Sequence, residues 1–222
     1  MDFLGGRKDL RGVDVAKEWR LILTSEEIKL AIQELAKIIN HKFENKNVVV
    51  VCILKGASYF FVDLTRELII PHSTYFIEAS SYRDSQTQSE VEVCSRIVPS
   101  KFENKEVILI DELYDNGSTL EMIRNKIIKV GNVPQEKIFT CTLFKKNKKT
   151  NHPEPNLYGL IVPDVWLVGY GLDDCQEKRN WTYLYACPKS VNALASEDDL
   201  LFESEDYYQE VRKQLTSDKM KV

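Results

Sequence analysis

The chain alternates between segments with a helical period of apolar residues and short, continuously apolar segments. Residues 24–27 fit a capping box, and the apolar residues that follow recur at helical spacing as far as about Asn40. Val48–Leu54 is uninterrupted and rich in valine, which is typical of a strand covered on both faces. A turn at Lys55-Gly56 then leads into a second apolar helix over 58–68.

The same alternation continues through the rest of the chain. A third helix presents Leu120, Ile123, Ile127 and Val130 on one face, and Gly131 is a natural end for it. Residues 83–90 are wholly polar and predict a loop. Further strands are predicted over 73–82, about 91–97, 107–110, 138–144, 158–162, 166–170 and 183–187. Strands that alternate with helices predict an α/β fold with a doubly wound, mainly parallel sheet and flanking helices.

Residues 107–120, VILIDELYDNGSTL, concentrate the candidate chemistry. The apolar strand runs into Asp111 and Glu112, then Asp115, and then a polar turn made of Asn116, Gly117, Ser118 and Thr119. Backbone N–H groups at the start of the following helix favour a phosphate, and glycine lets the backbone approach it. Carboxylates beside that phosphate would repel it, so they suit hydroxyl groups or a divalent cation. The expected ligand carries phosphate and sugar hydroxyls and binds with Mg²⁺.

Composition narrows the class of protein. The 222 residues are 43% hydrophobic and 29% charged, which predicts one domain over 1–222. Acidic residues 196–206 precede an apolar helical stripe, so 196–222 is expected to be a C-terminal helical appendage. A net charge of −4 disfavours a general nucleic-acid binder. The longest apolar run, Val48–Leu54, is too short to cross a membrane.

Cysteine and histidine usage exclude other chemistries. The five cysteines form no CxxC pair, and Cys52, Cys141 and Cys187 fall in apolar strand patterns, so we expect buried thiols in a reducing, cytoplasmic compartment. With no secretory signal pattern at the N-terminus, the same location is expected. Three histidines make a His-rich zinc site or a Ser-His-Asp triad improbable. A carboxylate is therefore the expected acid or base.

Residues 107–120 resemble the phosphoribosyl-diphosphate (PRPP) binding motif of the type I phosphoribosyltransferases. The competing interpretation is an ordinary capped strand-turn-helix, and neither GxxxxGK[ST] nor GxGxxG occurs. Further motifs follow in the order found in hypoxanthine-guanine phosphoribosyltransferases: LKG at 54–56, Ser81-Tyr82, TLFKKNKK at 142–149 and PDVWLVGYGLDDCQEKRNW at 163–181. The resemblance covers about residues 20–188. It implies a small hood subdomain built from the N-terminal and C-terminal segments.

The resemblance implies a role for each matching residue. Asp115 would be the general acid or base at purine N7, and PRPP would be bound by Asp111, Glu112, Asp115, Asn116, Gly117, Ser118 and Thr119. Lys55, Gly56 and Arg179 would bind pyrophosphate, with a cis peptide between Lys55 and Gly56. Lys145, Trp166, Leu167 and Asp173 would form the purine site, with Lys145 donating to O6. Mg²⁺ would be bound by Asp173 directly and by Asp111 and Glu112 directly or through water. Ser81 and Tyr82 would open a catalytic lid, whereas Lys146, Lys148 and Lys149 are expected on a solvated surface.

The implied reaction is transfer of 5-phosphoribosyl from PRPP to N9 of hypoxanthine or guanine, by a homodimer or homotetramer. The chain departs from the family pattern at the reversed pair Asp111-Glu112, at Asn116 and Ser118, and at Trp166, where Phe or Tyr is commoner. Two alternatives stay open. One is a regulator that uses the same fold to sense PRPP and binds nucleic acid, although the acidic pI disfavours it. The other is a weakly active homologue that binds nucleotides.

Overall fold

The computed structural model describes residues 19–81, 91–93 and 95–186, and these ranges contain three α-helices and nine strands. The helices are α1 (Ser25–Lys42), α2 (Ser58–Glu67) and α3 (Ser118–Gly131). The strands are β1 (Arg20–Leu23), β2 (Val48–Leu54), β3 (His72–Ser81), β4 (Val91–Val93), β5 (Glu106–Tyr114), β6 (Ile138–Lys146), β7 (Leu157–Val162), β8 (Leu167–Val168) and β9 (Leu184–Ala186). No helix in the described part of the chain is long and apolar enough to span a membrane.

Strand β2 lies inside a six-stranded sheet with the order β4-β3-β2-β5-β6-β7. Five of these strands are parallel, and β4 pairs with β3 in the antiparallel sense. Alternate residues of β2 face opposite layers: Val50 packs in a cluster with α1 and α2, whereas Val51 packs in a cluster with α3. Burial on both faces explains the continuous apolar run and confirms the doubly wound prediction.

The helix ends follow local chemistry. The capping box is present at α1, where Thr24 Oγ1 accepts from Glu27 N and the Glu27 carboxylate accepts from Thr24 N. The predicted stop at Gly131 is displaced by one residue, because Gly131 stays helical and Asn132 adopts the left-handed conformation with φ of 56°. Asparagine tolerates that conformation through local hydrogen bonding of its short side chain.

A second, antiparallel sheet has the order β1-β9-β8 and corresponds to the implied hood. The strand predicted over 166–170 is shorter than expected. Gly169, Tyr170 and Gly171 all have positive φ, which ends the extended conformation after Val168. Strand β1 was not predicted from the sequence. The predicted appendage at 196–222 lies outside the described residues.

The parallel strands β2, β5 and β6 are neighbours, so their carboxyl ends meet at one edge of the main sheet. Strand β5 is longer than predicted: it includes Asp111 and Glu112 and ends at Tyr114. Tyr114 lies opposite Lys145 of β6. The LKG turn, the acidic motif and the lysine run therefore reach the same edge. Ligands of open α/β sheets bind at this position.

Candidate active site

Three segments that are far apart in sequence pack against one another at this edge. A Cβ atom added to Gly56 would overlap the Glu112 carboxylate, so Glu112 of β5 rests directly on the LKG turn. A Cβ atom added to Gly171, whose φ is +99°, would overlap the Gly56 carbonyl oxygen. Gly171 is required by the approach of the Gly56 backbone and by its positive φ, whereas a side chain at Gly56 would have to displace the Glu112 carboxylate. The turn after β2 is thus enclosed between the acidic motif and the loop that follows β8.

The LKG turn contains a cis peptide bond, but its position differs from the one implied by the resemblance. The cis bond joins Leu54 to Lys55, one peptide before the Lys55–Gly56 bond. Neither bond precedes proline, so nothing in the amino-acid types could distinguish between them. The turn is closed by Ser58, whose backbone N and Oγ both donate to Lys55 O, at 3.3 and 2.7 Å. Helix α2 therefore begins immediately after the turn.

Asp111 and Glu112 form a coupled acidic pair. Asp111 is only 9% exposed, and its Oδ1 accepts from Glu112 N at 3.1 Å. Burial raises the pKa of Asp111 to about 6, and hydrogen bonds from Glu112 offset part of this increase. Burial, and then the charge of Asp111, raise the pKa of Glu112 well above its usual range. Raised pKa values of two adjacent carboxyl groups indicate that a hydroxyl donor or a cation would be favourable beside them.

Arg179 and Asp173 form an ion pair in the loop after β8. Arg179 Nη2 is 2.7 Å from Asp173 Oδ1, and Arg179 Nη1 donates to Gly171 O at 2.8 Å. The charge of Arg179 lowers the pKa of Glu112, against the larger effect of burial. The loop therefore brings a cation and a third carboxylate to the LKG turn.

The three carboxylates are hard oxygen ligands of the kind that Mg²⁺ prefers. Within the described ranges, no group of three or more His, Cys, Asp or Glu side chains is gathered closely enough to hold a metal ion by itself. Mg²⁺ commonly takes only one or two carboxylates and completes its coordination with water and substrate phosphates. The adjacent carboxylates of Asp111 and Glu112 fit that kind of partial site.

The polar turn before α3 is held by a left-handed glycine and by hydrogen bonds between its own residues. Gly117 adopts φ of +87° at the N-cap of α3. Asn116 Oδ1 accepts from Ser118 N at 3.0 Å and from Ser118 Oγ at 2.7 Å, so the two residues that depart from the family pattern bond to each other. A Cβ atom on Gly117 would lie 2.7 Å from Tyr114 Oη. Glycine is thus required by both the backbone conformation and the packing.

Tyr114 supports this turn and was missed in the sequence. Its side chain is 2% exposed, and its hydroxyl contacts Thr150 Oγ1 at 2.7 Å and donates to His152 O at 3.0 Å. His152 in turn pairs with Glu121 in the first turn of α3. The sequence did contain a signal for this role: Tyr114 is an aromatic residue with a hydroxyl group at a position of the motif that is usually apolar.

Asp115 contacts two lysines that were expected on a solvated surface. That expectation is wrong for Lys146 and Lys148, whose side chains are 11% and 28% exposed. Both lysines form ion pairs with Asp115 and with Asp164. Strand β6 continues through Lys146, so this lysine leaves the sheet at the edge where Asp115 lies. Lys149 is exposed, as expected.

The predicted purine residues lie on neighbouring elements. Lys145 Nζ is 2.9 Å from Glu154 Oε1 and 5.2 Å from the centre of the Tyr158 ring. Trp166 is 42% exposed, whereas Leu167 is buried in β8. The loop after β8 is anchored to α2 by a hydrogen bond of 2.6 Å from Tyr170 Oη to Asp63 Oδ2.

The implied lid is only partly within the described residues. The backbone of Ser81 ends β3, which pairs with β4, and Tyr82 lies outside the described residues.

Cys52 and Cys141 are buried free thiols, as predicted, and Cys187 lies outside the described residues. Burial, followed by the charges of Glu112 and Asp111, raises the pKa of Cys52 to about 12.

Comparison with known proteins assigns the family. The model of the phosphoribosyl transferase domain matches residues 18–174. A hypoxanthine-guanine phosphoribosyltransferase of Aquifex aeolicus is 32% identical over 181 residues, which cover 80% of this chain and 97% of that protein. A hypoxanthine phosphoribosyltransferase of Salmonella typhimurium is 28% identical over 167 residues, covering 74% of this chain and 92% of that protein.

Solved structures agree with this assignment. The crystal structure of a hypoxanthine phosphoribosyltransferase from Staphylococcus aureus superposes with a TM-score of 0.65 at 28% identity, covering 78% of this chain and 92% of that one. The family model spans more than half of the chain, and the match to the Aquifex protein covers nearly all of that relative. The chain therefore belongs to the phosphoribosyltransferase family, in its hypoxanthine-guanine branch.

Proposed function

We propose that this enzyme transfers the 5-phosphoribosyl group of PRPP to N9 of hypoxanthine or guanine, which yields IMP or GMP and pyrophosphate. The observation that carries the proposal is the contact of the Glu112 carboxylate with Gly56, which in turn packs on Gly171. This contact joins the acids suited to ribose hydroxyls, the turn suited to pyrophosphate, and the loop that follows the purine segment. PRPP and a base would meet where these three segments converge.

The acidic motif would bind the ribose phosphate part of PRPP. The 5'-phosphate would lie at the N-terminus of α3, where the turn from Asn116 to Thr119 presents backbone N–H groups. Asp111 and Glu112 would accept hydrogen bonds from the ribose hydroxyls. Because Asn116 Oδ1 occupies the N–H of Ser118, phosphate binding would require Asn116 to turn away.

Departure of pyrophosphate would be assisted by the groups around the LKG turn. Lys55, the backbone of Gly56 and Arg179 are the proposed ligands of its oxygens, and a bidentate guanidinium suits such an anion. Mg²⁺, held through Asp173 and through Asp111 and Glu112, would neutralise charge on the leaving group. Arg179 is already oriented by Asp173 and by Gly171 O, so little freedom is lost when the anion binds.

The base would stack on Trp166, and the backbone of Leu167 would pair with its edge. Lys145 precedes Lys146, which contacts Asp164 two residues before Trp166, so Lys145 lies near the segment that carries the purine residues. Lys145 can donate to O6 of a 6-oxopurine but cannot accept from the amino group of adenine. Glu154, which pairs with Lys145 in this structure, is 61% exposed. An exposed ion pair contributes little free energy, so a bound base can replace Glu154 as the partner of Lys145 at little cost.

Asp115 is the proposed general acid or base at purine N7. It follows β5 directly and precedes the phosphate turn, so it lies between the PRPP motif and the lysines of β6. A lid that begins at Ser81 and Tyr82 would exclude water, which would otherwise hydrolyse the activated ribose.

Self-association and a cytoplasmic location are part of the proposal. Tyr59, Val62 and Phe76 are large apolar residues that are 39%, 42% and 47% exposed. The ring of Phe76 in β3 lies 5.1 Å from that of Phe61 in α2, the helix that carries Tyr59 and Val62. Exposed apolar side chains on these two elements support a homodimer or homotetramer, which light scattering of the wild type and Val62→Asp would test. The free thiols of Cys52 and Cys141 suit a reducing compartment.

The direct test is an absorbance assay of nucleotide formation with PRPP, Mg²⁺ and one base at a time: hypoxanthine, guanine, xanthine or adenine. We expect IMP or GMP to form, with pyrophosphate released in equal amount, and adenine to react poorly. Absence of product with every base would refute the proposal. Filter binding to RNA and DNA would then test the regulatory alternative.

A further inference from the structure

Two lysines and two aspartates form an alternating charge cluster around the proposed catalytic carboxylate. Lys146 Nζ lies 3.3 Å from Asp115 Oδ2 and 3.2 Å from Asp164 Oδ1. Lys148 Nζ lies 3.0 Å from Asp164 Oδ1 and forms an ion pair with Asp115 Oδ1. Each lysine therefore contacts both aspartates, and each oxygen of Asp115 faces a different lysine.

The lysine side chains of the charge cluster are more buried than the aspartate side chains. The side chains of Lys146 and Lys148 are 11% and 28% exposed, against 48% for Asp115 and 44% for Asp164. For Lys148, burial acts to lower the pKa, but hydrogen bonds to Asp115 and Asp164 raise it overall. For Asp164, burial acts to raise the pKa, but hydrogen bonds from Lys148 and Lys146 lower it overall.

The charge cluster connects the proposed catalytic group to the base platform. Asp164 lies two residues before Trp166, in the segment between β7 and β8. Lys146 is the last residue of β6, immediately after Lys145. When Asp115 engages purine N7, at least one of its oxygens must leave the lysines. Asp164 keeps its own contacts with both lysines, so they would stay in place.

We propose that Lys148 and Asp164 are positioning residues that hold Lys146 and Asp115 in the orientation required by the purine base. The inference rests on the proposed function, and it adds a role for two residues to which the resemblance assigned no part in binding or catalysis. Lys148 keeps Asp115 directed at the base edge before binding, and Asp164 retains the lysines after Asp115 has turned to the base. Loss of either residue should weaken use of the base rather than of PRPP.

The test compares Lys148→Ala and Asp164→Asn with Lys149→Ala, a matched control in the adjacent exposed lysine. We expect KM for hypoxanthine to rise about two- to tenfold in the first two variants, the range that one or two partly exposed ion pairs supply. KM for PRPP should stay within about twofold of the wild type, and kcat should change less than KM for the base. Lys148→Arg and Asp164→Glu should restore KM. The double variant should cost less than the product of the single effects, because the two residues act together.

A result in which Lys148→Ala matches Lys149→Ala, or in which KM for PRPP and hypoxanthine rise together, would overturn the inference. If Lys148→Ala fails to fold, Lys148→Met retains the aliphatic stem without the charge and gives the same measurement. Wild-type protein that forms no nucleotide would refute the proposed function itself. Active wild type with an unaffected Lys148→Ala would refute only the positioning role.

Discussion

The Glu112 carboxylate rests on the backbone of Gly56, with no room for a side chain between them. This contact joins the acid of the PRPP motif to the turn proposed for pyrophosphate. Gly56 has no positive φ, so its backbone conformation does not require glycine. A side chain at this position would instead displace the Glu112 carboxylate of the neighbouring strand.

Replacing Gly56 with Ala should displace Glu112 and raise KM for PRPP by about tenfold or more, because a shift of about 1 Å in a positioning group costs on the order of 10²-fold in rate. KM for hypoxanthine should change less. Gly131→Ala is a matched control, since its Cβ would meet other atoms no closer than 3.5 Å in a helix. That variant should have unchanged kinetics and equal or slightly higher stability. Equal kinetics of the two variants would contradict the role of the Glu112–Gly56 contact.

Asp115→Asn should keep the fold and KM for PRPP but lower kcat by about 10²- to 10⁴-fold, the usual contribution of general acid-base catalysis. Asp164→Asn serves as the comparison, because it removes the other carboxylate that contacts Lys146 and Lys148 and should act on KM for the base. Steady-state kinetics with varied PRPP and hypoxanthine separate the two effects. If Asp115→Asn stays within about twofold of the wild-type kcat, Asp115 is not the acid or base.

Lys145→Ala should lower kcat/KM for hypoxanthine and guanine by about 10- to 150-fold, equivalent to the ~1.5 to 3 kcal/mol of a hydrogen bond from a charged donor. Adenine should be affected much less, since it has no O6 acceptor. Glu154→Gln is the control, because it removes only the exposed partner of Lys145 and should leave kcat/KM within about twofold. A common decrease for all three bases would show that Lys145 does not select for O6.

Glu112→Gln should make the ligand-free protein more stable at pH 8 than the wild type, while lowering its activity. The pKa values of Asp111 and Glu112 are raised by burial, so the folded state binds more protons than the unfolded one. Stability from this pair is therefore complete below about pH 4 and declines as pH rises through 6 and above. We expect this advantage to be larger at pH 8 than at pH 5, because deprotonation of the pair in the wild type costs stability at the higher pH.

Urea denaturation at both pH values, without PRPP or Mg²⁺, measures this effect. Glu44→Gln is a suitable control because Glu44 is exposed, and it should change the free energy of unfolding by less than about 0.5 kcal/mol. An advantage of Glu112→Gln that is the same at pH 5 and pH 8 would show that the pair is not proton-linked.

The local structure of this protein could be predicted from its sequence. The capping box at Thr24, the buried run of β2 and the phosphate turn at Gly117 are each set by a few adjacent residues. These elements are predicted either by the spacing of apolar residues or by a side chain that hydrogen-bonds to nearby backbone. Both features involve only residues that are close in sequence. The family resemblance added the order of the motifs.

Contacts between distant segments were decided only by the tertiary structure. The four-residue strand β1 is defined by pairing with β9, and Lys146 and Lys148 differ from exposed Lys149 only in the carboxylates that they meet. A lysine has the same local propensity in either setting, so no periodicity distinguishes a buried pair from a solvated surface. By itself the sequence determined the elements and the chemistry they carry. The packing of Glu112, Gly56 and Gly171 depended on the fold, because close approach of three backbone segments is a property of their relative placement in space.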